Sequence, residues 1–233
     1  MVTDAMTADP RPPGSIRVLI VDDDALVRGA LTMMLASSDQ VVVVGQAEDG
    51  AQVSAAVEAH APDVVLMDIR MPQMDGLAAT ELLCRQPAPP KIIILTTFDV
   101  DDHVLRAVRA GASGYLLKDT PPQELIRAIG LVAAGEAMLS PAVTRTMFEH
   151  INGPVATTGA ARRAKAKELL SQLSERELEV AQAIGEGKSN AEIGAELYLS
   201  LPTVKTHVSR LLAKLELNNR VQIALMVHDY NGN

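Results

Sequence analysis

Four of the short apolar stretches in the first half of the chain end in residues that can do chemistry. Aspartates end the first and the third stretch, threonines the fourth and a lysine the fifth: Asp22, Asp23, Asp24, Asp68, Thr96, Thr97 and Lys118. Carboxylates held a few Å apart repel by roughly 4 kcal/mol per pair at an effective dielectric of about 20, so they favour a bound cation. Mg²⁺ suits such oxygen ligands and leaves room for phosphate oxygens, so these residues suggest phosphoryl transfer to Asp68.

The elements that must position these residues are five repeated βα units. Apolar runs rich in β-branched residues alternate with longer amphipathic stretches, which is typical of a parallel sheet covered by helices. The predicted strands are residues 16–22, 41–47, 63–68, 91–95 and 113–117, and the last helix spans residues 121–134. Right-handed crossovers in the strand order 2-1-3-4-5 bring the ends of strands 1, 3, 4 and 5 together. We therefore expect a doubly wound, five-stranded α/β domain with one pocket at that edge.

The segments that carry these residues resemble the four signature segments of the response-regulator receiver family. They are LIVDDDALVR, VVLMDIRMPQMDG, ILTT and GASGYLLKD, and the resemblance covers residues 16–134. It implies that Asp68 accepts a phosphoryl group. It also implies that Mg²⁺ is held by Asp23 directly, by Asp22 mostly through water, by Asp68 and by the backbone carbonyl of Arg70.

The same resemblance implies a switch. Thr96 moves to the phosphoryl group, Lys118 neutralises its charge, and Tyr115 turns inward as Thr96 moves. A static, half-buried aromatic residue is the alternative for Tyr115. Asp24 and Asp75 are expected to be helix N-caps, since an aspartate after a strand commonly caps the next helix.

Residues 171–231 show no strand pattern and predict three or four helices. Breaks are expected at Gly185, Gly187, residues 198–202 and Asn218. Ser200 is a favourable N-cap, and the apolar residues that follow recur at helical spacing on one side. The other side carries Lys205, Thr206, Ser209, Arg210 and Lys214, an arrangement suited to a helix in the major groove of DNA.

This second half resembles the LuxR-type helix-turn-helix over about 60 residues. It has Leu-Ser-x-Arg-Glu, then Ser-Asn-x-Glu-Ile, then Thr-Val-Lys-x-His-Val. The resemblance implies base contacts by Lys205, Thr206 and Ser209. Phosphate contacts are implied for Thr203, His207, Arg210 and Lys214.

Three features of the second half each have two possible interpretations. His207 could contact phosphate or have a capping or packing role. The apolar residues Val221, Leu225 and Met226 of the final helix could mediate dimerisation or form an ordinary domain core. The basic tract at 161–167 fits a solvated linker or an extra DNA contact.

Composition and charge favour two domains with different partners. A chain of 233 residues exceeds a typical single domain. Residues 1–140 hold 19 acidic and 10 basic residues, whereas residues 141–233 hold 10 and 11, so the acidity of the chain does not exclude DNA binding by the second half. We predict a disordered leader at 1–15, a receiver domain at 16–140, a linker at 141–170 with some helix at either end, and a helix-turn-helix domain at 171–233.

The location and the partners follow from the same observations. No apolar run approaches the roughly 18 residues that span a bilayer, and a single cysteine fits a reducing compartment, so a cytoplasmic protein without a membrane partner is expected. The combined resemblance is to response regulators of the NarL/FixJ type. It implies a sensor histidine kinase as phosphodonor, promoter DNA as target and a homodimer in the phosphorylated state.

The predicted function is phosphorylation-dependent regulation of transcription, with at most slow self-dephosphorylation and no other enzymatic activity. One rival is an aspartyl phosphatase of the haloacid dehalogenase type, because Asp22 and Asp24 form a D-x-D sequence after the first strand. That rival leaves Asp68 and the helix-turn-helix pattern unexplained. A second rival is a regulator that works without phosphorylation.

Overall fold

The N-terminal domain is a parallel sheet covered on both faces by helices. The computed structural model describes residues 14–96, 101–139 and 159–231. The N-terminal elements are β1 (Ile16–Val21), α1 (Ala25–Leu35), β2 (Val41–Ala47), a short 3₁₀ helix (Gly50–Gln52), α2 (Val53–His60), β3 (Val64–Asp68), α3 (Gly76–Cys84), β4 (Lys91–Thr96), α4 (Asp101–Ala110), β5 (Gly114–Leu117), α5 (Pro122–Ala133) and β6 (Met138–Leu139). Most of the predicted leader lies outside the described residues.

The sheet confirms the predicted order 2-1-3-4-5 and extends it by one strand. The short strand β6 pairs in parallel with the outer edge of β5, where Leu139 lies opposite Tyr115. The central strands are buried on both sides because their apolar runs are continuous, as in other sheets with helices on both faces.

Two apolar cores lie on opposite faces of the sheet. On one face, alternate residues of β1 such as Leu19 and Val21 pack with residues from α2, α3 and α4. On the other face, Val18 and Ile20 pack with residues from α1 and α5. This alternation follows from the two-residue period of a strand, which points successive side chains to opposite faces.

Two helix starts in the N-terminal domain, those of α1 and α3, follow the capping prediction. The carboxylate of Asp24 accepts a hydrogen bond from the Leu26 N–H at 2.8 Å at the start of α1. The carboxylate of Asp75 accepts one from the Ala78 N–H at 2.7 Å at the start of α3. Both aspartates are therefore N-caps, as predicted.

The C-terminal unit is a bundle of helices around its own core. Its described helices are α6 (Gly159–Leu170), α7 (Glu175–Gly185), α8 (Asn190–Glu196), α9 (Leu201–Lys214) and α10 (Arg220–Asn231). Ser174 and Ser189 each form a capping box with the glutamate three residues later, which fixes the starts of α7 and α8. Residues 171–231 form four helices, within the predicted number.

Helix α6 lies inside the segment that the sequence assigned to the linker. Ala166 and Leu170 are buried, and Leu170 packs in the core of the C-terminal unit. The described part of this unit therefore begins at residue 159. Residues 140–158 of the predicted linker lie outside the described residues.

Candidate functional site

The predicted acidic residues meet at the carboxyl ends of β1 and β3. Asp22 and Asp68 are buried, at 1% and 7% exposure, while Asp23 is exposed. One carboxylate oxygen from each of the three lies within 4.8 Å of the others. Three hard oxygen donors at this spacing suit a divalent cation such as Mg²⁺, so the residues present fit the metal that the sequence predicted.

Lys118 completes this acidic pocket, which we define as Asp22, Asp23, Asp68 and Lys118. Its ammonium Nζ lies 2.6 Å from an Asp22 oxygen and 3.1 Å from an Asp68 oxygen. Burial alone lowers the pKa of Lys118, but the hydrogen bond to Asp22 and the charge of Asp68 outweigh it and raise that pKa above its usual value. Lys118 is therefore protonated where it contacts both carboxylates.

The carboxyl group of Asp68 is largely removed from solvent. Burial raises the pKa of Asp68 above its usual value, although the Lys118 ammonium opposes this effect. One cation faces three carboxylates, so the pocket keeps a net negative charge when all four groups are ionised. A further positive charge would stabilise it.

Arg28 supports the acidic pair and was not predicted. Its guanidinium donates to the backbone carbonyls of Asp22 at 2.8 Å and Asp23 at 3.3 Å, and it forms an ion pair with Glu48 at 3.0 Å. Arg28 is 8% exposed on α1. Arg28 lies four residues after the N-cap Asp24, which is about one helical turn. This spacing is the feature of the sequence that indicates a position near the acidic residues.

The predicted switch residues lie on the neighbouring strands. Thr96 ends β4 and is 6% exposed, and the backbone N–H of Lys118 donates to its carbonyl at 2.7 Å. Tyr115 lies opposite Ile94 on β5 and is 1% exposed within the core on the α4 face. In this structure Tyr115 is therefore fully buried. Thr97 lies outside the described residues.

The loop after β3 carries the predicted carbonyl ligand. The backbone N–H of Arg70 donates to an Asp68 carboxylate oxygen at 3.2 Å, and the Arg70 residue is exposed. The structure thus places Arg70 directly beside the acidic pocket. Its carbonyl remains a predicted ligand.

Helix α9 presents the polar face that the sequence predicted for DNA contact. Ser200 caps the helix, while Val204, Val208 and Leu211 are buried beneath it. The exposed residues on the other side include Lys205, Thr206, Ser209 and Arg210. The hydroxyl of Thr206 donates to the Pro202 carbonyl at 2.9 Å.

Three further residues were predicted to contact DNA, and two of them have local polar contacts. The hydroxyl of Thr203 lies 2.7 Å from that of Ser200, and Lys214 forms an ion pair with Glu177 at 2.7 Å. His207 is half-buried, and its Nδ1 is enclosed without a hydrogen-bond partner. In this structure Lys214 is therefore engaged within its own domain.

The two domains contact each other at the end of α4. The side-chain amide of Asn219 donates to the carbonyls of Ala112 at 2.8 Å and Val108 at 3.3 Å, and that of Gln222 donates to Val108 at 2.9 Å and Arg109 at 3.2 Å. A helix leaves its last four carbonyls without internal partners. Here Asn219 and Gln222 supply partners for the Val108 and Arg109 carbonyls at the end of α4 and for the Ala112 carbonyl just after it.

A second set of contacts joins the segment after α5 to the C-terminal unit. Glu136 forms an ion pair with Arg220, and its other carboxylate oxygen accepts from the Asn190 N–H at 3.1 Å. Val221 is 8% exposed and packs with the receiver core on the α4 face, and Leu225 packs against the same cluster. Met226 packs in the core of the C-terminal unit.

These contacts leave a crevice between α9 and the N-terminal domain. Lys205 and Ser209 line a crevice whose opposite wall includes Ser113, Gly135 and Glu136. Two residues that were predicted to contact bases therefore face the other domain in this structure.

Comparison with known families agrees with both halves of the chain. Residues 18–130 match the response regulator receiver domain, and residues 171–227 match the bacterial regulatory proteins of the luxR family. With relatives similar over nearly its full length, the chain belongs to the two-component response regulators that join a receiver domain to a LuxR-type helix-turn-helix. It is a transcriptional regulator of this class.

Individual relatives cover both domains. The chain is 40% identical to the transcriptional regulatory protein LiaR of Bacillus subtilis, over 91% of this chain and 97% of LiaR. It is 34% identical to the response regulator protein VraR of Staphylococcus aureus, over 93% of this chain and 98% of VraR. These relatives share the full two-domain organisation.

Solved structures give the same fold. The response regulator ChrA of a heme-sensing two-component system has 35% identity and a TM-score of 0.52, with 94% of this chain and 98% of ChrA covered. RcsB of Salmonella typhimurium has a TM-score of 0.55 at 22% identity, over 92% of this chain and 99% of RcsB, which supports the fold alone. Among the described residues, no helix is long and apolar enough to cross a membrane.

Proposed function

We propose that the chain accepts a phosphoryl group on Asp68 from a sensor histidine kinase or a small phosphodonor. The observation that carries this proposal is the contact of Lys118 with both Asp22 and Asp68 in a pocket of three clustered carboxylates. One oxygen of Asp68 forms a bond to phosphorus while the bond from phosphorus to the donor's leaving atom breaks, and that atom takes the electron pair. The product is an acyl phosphate.

The residues of the pocket have separate roles in this step. Asp23, Asp68 and the carbonyl of Arg70, with Asp22 mostly through water, would hold Mg²⁺, which when bound would neutralise charge on the transferring phosphoryl group. The ammonium of Lys118 turns from the Asp68 carboxylate to a phosphoryl oxygen, and the hydroxyl of Thr96 donates to another. Apart from slow self-dephosphorylation, no enzymatic turnover is proposed.

Isosteric variants of two aspartates test the phosphoacceptor. Asp68→Asn removes the nucleophile, whereas Asp75→Asn keeps an equally good N-cap in the same segment. With phosphoramidate and Mg²⁺, the parent chain and Asp75→Asn should each gain about one acid-labile phosphoryl group, and Asp68→Asn none. Repeated hydrolysis of an aryl phosphate would instead support the phosphatase, and equal labelling of Asp68→Asn would refute the assignment.

We further propose that phosphorylation releases helix α9 to bind promoter DNA. A phosphoryl group adds roughly −1.5 to −2 charges to the acidic pocket. Movement of Thr96 and Tyr115 then disturbs the face of the receiver that carries α4, whose last carbonyls are held by Asn219 and Gln222. Loss of these contacts opens the crevice between the domains that Lys205 and Ser209 line, so that this face of α9 can approach DNA.

The DNA contacts proposed for the released helix follow its exposed face. Lys205, Thr206 and Ser209 reach base edges, and Thr203, His207, Arg210 and Lys214 contact phosphates. For Lys214 this requires exchange of its ion pair with Glu177. Because the proposed target is promoter DNA, the proposed site of action is the cytoplasm.

The phosphorylated protein is proposed to bind as a homodimer. Two-fold symmetry would place two half-sites about one helical turn of DNA apart. Val221 and Leu225 pack on the receiver in this structure, so domain release also exposes an apolar surface on α10. Sedimentation analysis with and without phosphodonor tests this, and a monomer under both conditions on DNA would refute it.

The Asp68→Asn variant also tests the alternative that the protein regulates transcription without phosphorylation. Footprinting of genomic DNA with Asp68→Asn should show no phosphodonor-dependent sites. If this variant bound the same promoters as the phosphorylated parent chain, phosphorylation would not be the control.

A further inference from the structure

Asp49 lies just after β2, the strand that pairs with β1, and its carboxylate accepts three hydrogen bonds. None of these bonds has a role in the phosphoryl transfer proposed above. It follows β2, caps the short 3₁₀ helix and is only 3% exposed. One carboxylate oxygen accepts from the N–H groups of Ala51 at 2.8 Å and Met74 at 3.1 Å, and the other accepts from that of Gln73 at 2.8 Å. Two of these donors belong to the loop between β3 and α3.

That loop, residues 69–75, joins the phosphoacceptor to the next helix. Its base is closed by a hydrogen bond from the Gly76 N–H to the Ile69 carbonyl at 2.9 Å. A Cβ atom at Gly76 would lie 1.9 Å from the Asp68 carbonyl oxygen, so the loop returns tightly against the residue where it began. Asp49 holds the far side of the same loop.

Gly50 allows this close approach. A Cβ atom there would lie 2.5 Å from the Met74 carbonyl oxygen and 3.0 Å from the Ala79 Cβ. Backbone packs against backbone at this point, so Asp49 and Gly50 together clamp the loop to the end of β2.

The carboxylate of Asp49 is ionised over the physiological range. The N–H groups of Ala51 and Gln73 hold the pKa of Asp49 below its usual value, with a smaller contribution from Met74. Hydrogen bonds to an ionised acceptor are stronger than those to a neutral one. The clamp thus uses a charge-assisted contact rather than apolar packing.

We propose that Asp49 is a positioning residue for phosphorylation: it fixes the β3–α3 loop, and with it Arg70, whose carbonyl is the predicted Mg²⁺ ligand. The inference rests on the proposed phosphoryl transfer to Asp68. Residues that orient metal ligands commonly change metal affinity by about 10–100-fold when they are removed. Asp49 acts on the ligand indirectly, because Met71 and Pro72 separate Arg70 from Gln73, so we expect an effect near the lower limit.

The test compares four variants of the full chain. Asp49→Ala removes the clamp, and Asp49→Asn keeps its shape but turns an N–H₂ group toward a backbone donor. Gly50→Ala pushes the loop away while the carboxylate stays. The matched control is Asp63→Ala, which loses an equal charge and a hydrogen bond from the Arg17 N–H at the opposite end of β3.

Three measurements separate positioning from simple stabilisation: calorimetric titration with MgCl₂, the rate of phosphoryl uptake from phosphoramidate, and the melting temperature. Asp49→Ala and Gly50→Ala should weaken Mg²⁺ binding about tenfold and slow uptake, with a smaller effect in Asp49→Asn. Asp63→Ala should lower the melting temperature without changing Mg²⁺ affinity.

The failures of the two proposals are distinguishable. If the parent chain takes up phosphoryl groups and Asp49→Ala differs from it only in melting temperature, as the control does, the positioning role is overturned. If the parent chain takes up none, the phosphoacceptor proposal fails instead. Should Asp49→Ala not fold, unchanged Mg²⁺ affinity in both Asp49→Asn and Gly50→Ala would equally overturn the positioning role.

Discussion

The side-chain amide of Asn219, in the LuxR-type domain, donates a hydrogen bond of 2.8 Å to the carbonyl oxygen of Ala112 in the receiver. The same residue caps α10, because its side-chain oxygen accepts from the Gln222 N–H at 2.9 Å. Asn219 therefore joins the start of one domain's last helix to the end of the other domain's α4. Its two functions can be separated by mutation.

Asn219→Asp should open the domains while keeping the cap. Aspartate is an equally good N-cap, but its carboxylate faces the carbonyls of Val108 and Ala112 without a donor. An unpaired buried acceptor costs about 2 kcal/mol, so the closed arrangement should weaken by roughly 30-fold. We expect tighter DNA binding by the unphosphorylated chain and a larger radius of gyration in small-angle scattering.

Gln182→Glu is the control for Asn219→Asp, since it adds the same charge at an exposed position on α7. Identical DNA affinity and radius in the two variants would show that these hydrogen bonds do not hold the domains together.

Lys118→Ala should make the stability of the receiver depend on Mg²⁺. The variant leaves Asp22 and Asp68 facing each other without the ammonium that contacts both. Removing one partner from a mostly buried ion pair costs about 3 kcal/mol, and a divalent cation should recover part of that loss. Melting temperatures with and without MgCl₂ measure this. A Mg²⁺ effect no larger than in the parent chain would contradict it.

Lys205→Ala and Arg210→Ala should weaken DNA binding in different ways. Loss of a base contact by Lys205 should cost about 1–3 kcal/mol at the specific site and little elsewhere. Loss of a phosphate contact by Arg210 should reduce the slope of log affinity against log salt by about 0.9 at every site. Salt titrations of the phosphorylated protein with specific and random duplexes distinguish the two.

Arg163→Ala serves as the comparison on α6, where Arg163 of the basic tract is exposed. Unchanged affinity would identify the tract as a solvated helix face. A reduced salt slope would show that α6 also contacts phosphates.

Glu177→Gln should weaken the C-terminal domain only above acidic pH. Glutamine preserves the capping box with Ser174 but loses the charge that faces Lys214. The Lys214 hydrogen bond, with that of the Ser174 N–H, lowers the pKa of Glu177 from 4.5 to about 2. Stability from this charge is therefore fully present above pH 4.5 and is lost as pH falls towards 2.

The expected loss in Glu177→Gln is roughly 1 kcal/mol or less at neutral pH, because the pair is partly exposed and screened by solvent. Calorimetric unfolding should show that the difference in stability between Glu177→Gln and the parent chain becomes smaller as pH falls from 4.5 towards 2. Glu175→Gln, an exposed position in the same first turn, controls for the helix dipole. A difference in stability that does not change with pH would exclude the ion pair as its cause.

The amino-acid sequence determined the order of the strands and the members of the acidic pocket. Both follow from local rules: apolar runs form strands, crossovers are right-handed, and polar residues that end parallel strands meet at one edge. Asp49 follows the second strand, two residues after Ala47, so the same rule extends to it. Arg28 had a weaker signal, its helical spacing from Asp24.

The tertiary structure alone decided how the two domains meet. Asn219 contacts residues 107 and 111 positions away, and Glu136 pairs with Arg220 across 84 positions. No periodicity or motif specifies such pairs, because each side chain would be equally satisfied by water on a separate domain. The sequence pattern predicts that Lys205 and Ser209 are exposed on α9. Only the arrangement of the two domains decides that they line a crevice shared with the receiver.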